Sequence, residues 1–209
     1  MIDTTFLITA FVTMFVIIDP IGLAPLFLAL TQGQDVKKRR SIAVRACVIA
    51  MVILILFALL GESLLGFIGI SMPAFQVSGG VLLFLTALDM LFERRTKRRE
   101  DQADEDDNED PSVFPLAIPL IAGPGAIASV ILLTNQRPGL EGLGMVLGVT
   151  AAVLLIAFGL FLASGLIEKV LGKTGITVLT RLLGMLLAAL SVQIMLDGLA
   201  AFGFGPGAG

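Results

Sequence analysis

The sequence predicts an all-α membrane protein with six transmembrane helices, arranged as a 3+3 inverted-topology repeat with broken first and fourth helices. Three observations predict this fold. The chain has 209 residues, of which 56% are hydrophobic, and a mean hydropathy of +0.98, which is far too apolar for a soluble globule. It contains six apolar segments, each long enough for the ~20 residues that one span requires. Two of these segments carry helix breakers in the middle, at equivalent positions.

Polar residues separate the six apolar segments. The segments cover residues 6–30, 42–67, 74–92, 113–134, 143–167 and 176–201. No positive charge precedes the first segment, which is also too long for the apolar part of a signal peptide, so we expect it to remain as a span. The chain then divides into a first three-helix repeat, residues 1–93, a charged linker, residues 94–112, a second, inverted three-helix repeat, residues 113–202, and a tail, residues 203–209.

The linker and the tail differ from the rest of the chain in composition. Five basic residues open the linker between positions 94 and 99, and an acidic run follows from position 100 to 110. So many charges with so few apolar side chains cannot bury enough surface to fold. We therefore expect a flexible linker, and we expect the Gly-rich tail to be disordered.

The distribution of Lys and Arg predicts the orientation in the membrane. The first, third and fifth connections, with the span ends beside them, hold 13 of the 14 basic residues, and the other side holds only Arg137. The 13 are Lys37, Lys38, Arg39, Arg40, Arg45, Arg94, Arg95, Lys97, Arg98, Arg99, Lys169, Lys173 and Arg181. Because cytoplasmic loops carry the positive excess, we expect a multi-pass protein of the plasma (inner) membrane with both termini outside, in the periplasm or the extracellular space.

The two halves resemble each other at a constant shift of 104 residues, without a gap. The shift superimposes Asp19-Pro20 on Gly123-Pro124, Phe57 on Phe161, Gly61 on Gly165 and Gly80 on Gly184. Because each half holds an odd number of spans, the second half must insert upside down relative to the first. Inverted repeats of this kind are typical of secondary transporters, whose substrate sites lie near the midplane where broken helices meet.

The breaks themselves predict a substrate site. Asp19 and Gly123 each precede a proline, as an N-cap precedes the first residue of a new half-helix. Such a helix start offers unpaired N–H groups and the positive end of a dipole to a carboxylate, while Asp19 can pair with an ammonium group, or with a coupling proton or sodium ion. We therefore expect a small zwitterionic substrate. The predicted substrate-binding residues are Asp19, Pro20, Gly22, Pro25, Gly123, Pro124, Gly125 and Ala126.

Other polar residues within the spans have a structural and a functional interpretation. Asp19 could serve as a helix cap alone, although acids deep in a membrane are functional by default. Uncharged polar residues in spans mostly form hydrogen bonds between helices. Those kept as candidates for lining the transport pathway are Gln76, Ser78, Ser129 and Gln193.

Three motifs together resemble the MarC/SnatA family of bacterial and archaeal inner-membrane proteins. They are Asp19-Pro20-Ile21-Gly22 with Pro25 and Phe27, residues 118–127 with the sequence IPLIAGPGAI, and Arg181-Leu182-Leu183-Gly184 through Gln193. The resemblance covers residues 6–199. It implies a six-span inverted repeat, a name derived from multiple antibiotic resistance and, for the SnatA branch, transport of small neutral amino acids such as glycine and alanine.

Composition narrows the remaining alternatives. Histidine is absent and Cys47 is the single cysteine, so we predict no cofactor and no metal site. We interpret the basic run of the linker as a topology signal and not as a nucleic-acid site. The expected partner of the protein as a whole is the lipid bilayer. A channel, or a multidrug or small-solute efflux protein on the same scaffold, stays open as an alternative, as does a homo-oligomer. We predict no enzyme. An intramembrane aspartic protease would need a second carboxylate at the depth of Asp19, but the predicted topology puts Asp89 near the cytoplasmic face and Asp197 near the outer face.

Overall fold

The computed structural model describes residues 4–92 and 110–204, and these form helices joined by short turns, without a β-strand among them. Residues 93–109, which include most of the predicted linker, and residues 205–209 of the predicted tail lie outside the described residues. The helices are α1 (Thr4–Ile18), α2 (Pro20–Leu30), α3 (Val36–Ile68), α4 (Met72–Leu91), the wide helical segment π1 (Ser112–Ile121), α5 (Pro124–Gln136), α6 (Leu140–Leu162) and α7 (Ser164–Ala201).

Local capping signals set where several of these helices begin. The Asp35 carboxylate accepts a hydrogen bond from the N–H of Lys38 at 2.7 Å and caps α3. The Ser71 hydroxyl accepts one from the N–H of Ala74 at 3.4 Å and caps α4. Such side chains satisfy N–H groups that have no partner within the helix, so the short turns of the chain fall where the sequence supplies caps.

The described chain contains five or six candidate spans, compared with the six that the sequence predicts. Five helical stretches are long and apolar enough to cross a membrane, and π1 and α5, which are bent by 54° relative to each other, add a sixth if the pair counts as one span. The five stretches cover Thr4–Leu30, Val36–Ile68, Met72–Leu91, Leu140–Leu162 and Thr174–Ala201. The fold is therefore all-helical over the described residues and contains up to six spans.

The boundary between the fifth and sixth spans differs from the prediction. We expected the fifth span to continue to residue 167, but α6 ends at Leu162 and α7 begins at Ser164. α7 then kinks at Gly172, whose φ of 62° and ψ of 175° are open to glycine and strained for other residues. Residues 164–171 therefore form a short helical segment before the sixth span.

The first part of the fourth span also differs from the prediction of a helix that runs up to Gly123. Phe114 (φ −122°, ψ 131°) and Ile118 (φ −129°, ψ 125°) have extended backbone inside π1. Each precedes a proline, Pro115 or Pro119, across a cis peptide bond. The proline ring disfavours the helical conformation of the residue before it, so this half of the span is irregular while its counterpart α1 is a regular helix.

Side-chain contacts define two ends of the bundle. A guanidinium N–H of Arg39 donates to Ser164 Oγ at 3.3 Å, and Arg45 forms an ion pair with Asp110. These contacts bring the starts of α3, α7 and π1 to one end, which we call the basic end. The guanidinium carbon of Arg137 lies 5.7 Å from the ring centroid of Phe6, so the start of α1 lies at the opposite end, beside the connection between α5 and α6.

Helices α4 and α7 pack closely along what we call the glycine seam, formed by Gly80 and Gly184 and the backbone that each contacts. A Cβ built on Gly80 would lie 2.9 Å from the carbonyl oxygen of Ser191. A Cβ built on Gly184 would lie 3.2 Å from the carbonyl oxygen of Ala87. Gly80 and Gly184 are 104 positions apart, and so are Ala87 and Ser191. Each half therefore makes the same contact with the other.

The same spacing relates the starts of other helices. Pro20 and Pro124 are the first residues of α2 and α5, and Val36 and Leu140 are the first residues of α3 and α6. Both pairs are 104 positions apart. Packing follows the same scheme, because α2 contacts α6 and α7 while α5 contacts α3 and α4.

Candidate functional site

The first interruption is a single residue, Asp19, between α1 and α2. Its backbone is left-handed, with φ 54° and ψ 61°, and it is the only non-glycine residue with a positive φ in the described chain. Helical hydrogen bonds continue on both sides, since Asp19 N–H donates to Phe15 O at 2.9 Å and Leu23 N–H donates to Asp19 O at 3.0 Å. The interruption therefore turns the side chain of Asp19 without separating the two helices.

The Asp19 side chain has no exposed surface. Its Oδ1 accepts a hydrogen bond from the N–H of Gly22 at 3.1 Å, which confirms the predicted cap. A Cβ on Gly22 would lie 2.2 Å from Asp19 Oδ2, so only glycine leaves room for the carboxylate here. Pro20, the first residue of α2, is buried, and Pro25 one turn later is half-buried.

The second interruption lies between π1 and α5, at Ala122 and Gly123. Gly123 is buried, has extended backbone (φ −82°, ψ 171°) and contributes no side chain to cap α5. A Cβ on Gly123 would lie 2.4 Å from the carbonyl oxygen of Pro119. Pro124 begins α5 and is exposed, whereas Ala126 is buried. The start of α5 thus presents backbone N–H groups that no capping side chain occupies.

The first and fourth spans contact each other at Gly125, near the second interruption. A Cβ built on Gly125 would lie 3.4 Å from Ile17 Cγ2, two residues before Asp19. It would also lie 3.3 Å from Leu83 Cδ2 and 4.0 Å from Thr86 Oγ1, both on α4. The start of α5 is therefore packed against the end of α1, with α4 beside both.

The four polar residues predicted as pathway candidates occupy different surroundings. Ser129 is buried on α5, one helical turn after Gly125. Gln76 is half-buried and packs near Gly198, whose Cβ would lie 3.0 Å from that of Gln76. Ser78 and Gln193 are exposed; Ser78 donates to Phe75 O at 3.0 Å and Gln193 donates to Asp197 at 2.8 Å. Only Ser129 lies on the helix that carries the second interruption.

A layer of side chains lies between the interruptions and the basic end. The rings of Phe27 on α2 and Phe161 on α6 are stacked, and both residues are fully buried. The Arg39 guanidinium carbon lies 6.0 Å from the Phe27 ring centroid, and the same side chain donates to Ser164. We call these four residues the basic-end layer. Their counterparts 104 positions away, Ile131, Phe57, Leu143 and Leu60, offer neither a cation nor an aromatic pair.

Two apolar grooves lie elsewhere on the bundle. One, of about 440 Å³, lies between α1 and α6, with Thr4, Phe11 and Gly148 in its wall. The other, of about 340 Å³, lies between α3 and α6 and includes Cys47 and Phe158. Neither wall contains a charged side chain, so neither groove fits a zwitterion as well as the two interruptions do.

One ion pair at the basic end fixes the start of π1. The Ser112 side chain and then its backbone N–H, which is 3.1 Å from Asp110 Oδ1, lower the pKa of Asp110, and Arg45 adds to this. The side chains of Arg45 and Asp110 are 61% and 43% exposed. Solvent therefore weakens this interaction, which orients the chain where it enters π1.

Sequence reasoning missed Thr86 and Leu83 as neighbours of the second interruption. Thr86 Oγ1 donates to Leu82 O at 2.9 Å, as hydroxyls in helices often do. Its place near Gly125 depends on how α4 packs against α5, and no local pattern in the sequence records that packing. The basic-end layer was missed for the same reason.

Comparison with known proteins gives matches over nearly the whole chain. A family model described as "MarC family integral membrane protein" matches residues 4–202. The chain is 39% identical over 198 residues to a UPF0056 membrane protein of Methanocaldococcus jannaschii, covering 93% of this chain and 86% of that protein. It is 34% identical over 197 residues to the UPF0056 inner membrane protein YhgN of Escherichia coli strain K12, covering 92% and 95%. No solved structure matches the chain. Both interruptions lie within the matched residues.

Proposed function

The chain belongs to the MarC family of integral membrane proteins, and we propose that it is a secondary transporter of small neutral amino acids such as glycine and alanine. The observation that carries this proposal is the contact between the two interrupted spans, where Gly125 packs against Ile17 beside the buried Asp19. Backbone interruptions within a membrane survive only where protein or a polar cavity surrounds them. We propose that the Asp19 carboxylate and the uncapped start of α5 form one site.

The proposed site has a separate partner for each end of a zwitterion. Asp19 supplies the negative charge for an ammonium group, and the α5 start supplies N–H groups for a carboxylate. The left-handed backbone of Asp19 costs about 1–3 kcal/mol, a kind of strain that concentrates at functional sites. Tight packing around Gly125 favours substrates with small side chains. A proton or a sodium ion at Asp19 is our proposed coupling ion.

We propose that the two halves form an inverted repeat and that transport proceeds by alternating access. The reciprocal contacts of the glycine seam support this proposal, because Gly80 meets Ser191 as Gly184 meets Ala87. Transporters with inverted repeats move one half against the other around a site at the midplane. The basic-end layer would then be closed in the arrangement described here and would separate when the site opens to that end.

We also propose the inner membrane as the location, with the basic end in the cytoplasm and both termini outside. The similarity to YhgN, which is named as an inner membrane protein, supports the location. The positive excess of cytoplasmic loops supports the orientation. Arg39 contacts Ser164, and Arg45 pairs with Asp110. These two contacts bring three connections together at the basic end, as this orientation requires.

Counterflow in proteoliposomes tests the proposed function. Vesicles loaded with unlabelled glycine should accumulate labelled glycine transiently, and alanine should compete. Imposed proton and sodium gradients, applied separately, identify the coupling ion. Asp19→Asn should lower the counterflow rate by about tenfold or more, because a charged hydrogen-bonding partner of the ammonium group is lost.

Asp197→Asn is the matched control. Asp197 is exposed and accepts from Gln193, a bond that asparagine can keep, so counterflow should be unchanged. Flux without counterflow would indicate a channel and contradict the carrier. Absence of any glycine or alanine flux from folded wild-type protein would contradict the proposed substrate class.

A further inference from the structure

Two buried hydroxyls of the described residues, Ser112 and Ser129, have no hydrogen-bond partner. Ser112 lies at the start of π1, beside the Asp110 carboxylate, whereas Ser129 lies inside α5. Ser129 is 1% exposed, and its Oγ has no hydrogen-bond partner among the described residues. Several other hydroxyls within spans donate to a carbonyl of their own helix, three or four residues back. They include Thr86, Thr134, Thr150 and Ser191, with distances of 2.7–2.9 Å. Ser129 has the same option on α5 and does not use it.

A buried hydroxyl without a partner is costly, and more so where no water is at hand. Such groups in a folded protein call for an explanation, and a ligand is one of the few that membrane depth leaves. Serine has a donor and two acceptor lone pairs and can rotate toward whatever approaches. The Ser129 hydroxyl is therefore available to a bound group.

The position of Ser129 identifies the group it would meet. It follows Gly125 by four residues, so both lie on one face of α5, and Gly125 packs against Ile17 and Leu83. The N–H groups of Gly125 and Ala126 at the α5 start receive no side-chain cap, because the N-cap is Gly123. The first two turns of α5 therefore hold three donors, the Ser129 hydroxyl and these two N–H groups, and a carboxylate is the substrate group that accepts several donors at once.

We propose that Ser129 forms the carboxylate subsite, together with the N–H groups of Gly125 and Ala126, and thereby recognises the α-carboxylate of a small amino acid. This inference rests on the proposed function and adds to it the residue that distinguishes the acid end of the substrate from the amine end. Asp19 serves the amine end. The first half thus contributes the partner of the amine, and the second half contributes the partner of the carboxylate. The first-half equivalent of Ser129 is Pro25, whose side chain has no donor.

Competition binding on the purified full-length chain tests the subsite. Labelled glycine is displaced by unlabelled glycine, by acetate, which lacks the amine, and by methylamine, which lacks the carboxylate. In Ser129→Ala, displacement by glycine and acetate should require about tenfold or higher concentrations, because one hydrogen bond to a charged group is lost. The methylamine concentration that displaces half of the remaining bound label should be unchanged.

Ser191→Ala is the matched control, because Ser191 is equally buried and already bonded to Ala188 O. It should leave all three displacement curves unchanged. The melting temperature of ligand-free Ser129→Ala should equal or exceed that of the wild type, since the removed hydroxyl has no partner to lose. A lower melting temperature with weakened methylamine displacement would assign Ser129 a structural role and overturn the subsite.

The outcomes separate the two proposals. Glycine affinity within twofold of wild type in Ser129→Ala would overturn the subsite while the transporter proposal stands. If the wild-type chain binds no small amino acid at all, the proposed function fails and the subsite with it. Selective loss of glycine and acetate recognition supports both.

Discussion

The rings of Phe27 and Phe161 lie almost parallel, with centroids 4.8 Å apart and an angle of 9° between their planes. The two residues belong to different halves of the chain, and the Arg39 side chain that contacts Phe27 also bonds Ser164. An aromatic pair contributes about 0.5–1.5 kcal/mol beyond its buried area. This stack therefore stabilises the contact between α2 and α6 at the basic end.

Phe161→Leu should shift the protein toward an arrangement that is open at the basic end, because leucine keeps the apolar contact and removes the stack. The reporter is Ala24→Cys in a Cys47→Ala background, since Ala24 is fully buried on α2, one turn before Phe27. In nanodiscs, the maleimide reaction at position 24 should become roughly twofold to tenfold faster. Phe158→Leu, one turn earlier on α6, is the control, and an equal effect there would remove the special role of the stack.

Gly125→Ala should lower glycine counterflow by about tenfold or more, since small misplacements at a site cost large factors in rate. The added methyl group would lie 3.3 Å from Leu83 Cδ2 and 3.4 Å from Ile17 Cγ2, so the side chains can shift enough for folding. Gly148→Ala is the control, because nothing lies within 4 Å of its Cβ position. Unchanged counterflow in Gly125→Ala would place the substrate elsewhere.

Alanine in the glycine seam should destabilise the protein by about 1–3 kcal/mol. A Cβ on Gly80 would lie 2.5 Å from Met195 Cγ and one on Gly184 would lie 2.9 Å from Met90 Cβ, with backbone behind each. Chemical denaturation in detergent measures the loss, which should be similar for the two variants. Gly159→Ala, with open space at its Cβ, should be neutral or slightly stabilising; equal losses at all three positions would contradict close packing as the cause.

The contacts of Asp110 with Ser112 and then with Arg45 should make a small, acid-sensitive contribution to stability. Because the pKa of Asp110 is lowered in the folded state, the contribution is fully present above the unfolded pKa of about 4 and is lost as pH falls through the folded pKa. With the side chains of Asp110 and Arg45 largely exposed, it should be no more than about 1 kcal/mol. Asp110→Asn should therefore melt slightly lower than wild type at pH 7, and the difference should vanish in strong acid. A difference that persists there would have another origin.

Much of the fold was predictable because the bilayer imposes a length on each apolar segment. The caps at Asp19, Asp35 and Ser71 also follow local rules. The extended backbones of Phe114 and Ile118 follow a local rule too, because each residue precedes a proline. The left-handed backbone of Asp19 was not predicted, since aspartate adopts it only where surrounding structure imposes it.

The candidate site was predictable only in part. Two X-Pro interruptions at one register identified Asp19 and Gly123, because the signal is local and repeated. Thr86 and the Phe27–Phe161 stack arise from packing between distant helices. Ser129 was one of four similar polar candidates, and only the hydrogen-bond pattern of the neighbouring helices sets it apart.

The reciprocal contacts of the glycine seam mean that one surface serves as its own partner. Two separate copies of a single three-helix chain, inserted in opposite directions, could pair through such a surface. A fused chain is released from the requirement that both copies be identical. One half can then acquire Asp19 and Phe27 while the other keeps Gly123 and Ile131, an asymmetry that the proposed zwitterionic substrate would require.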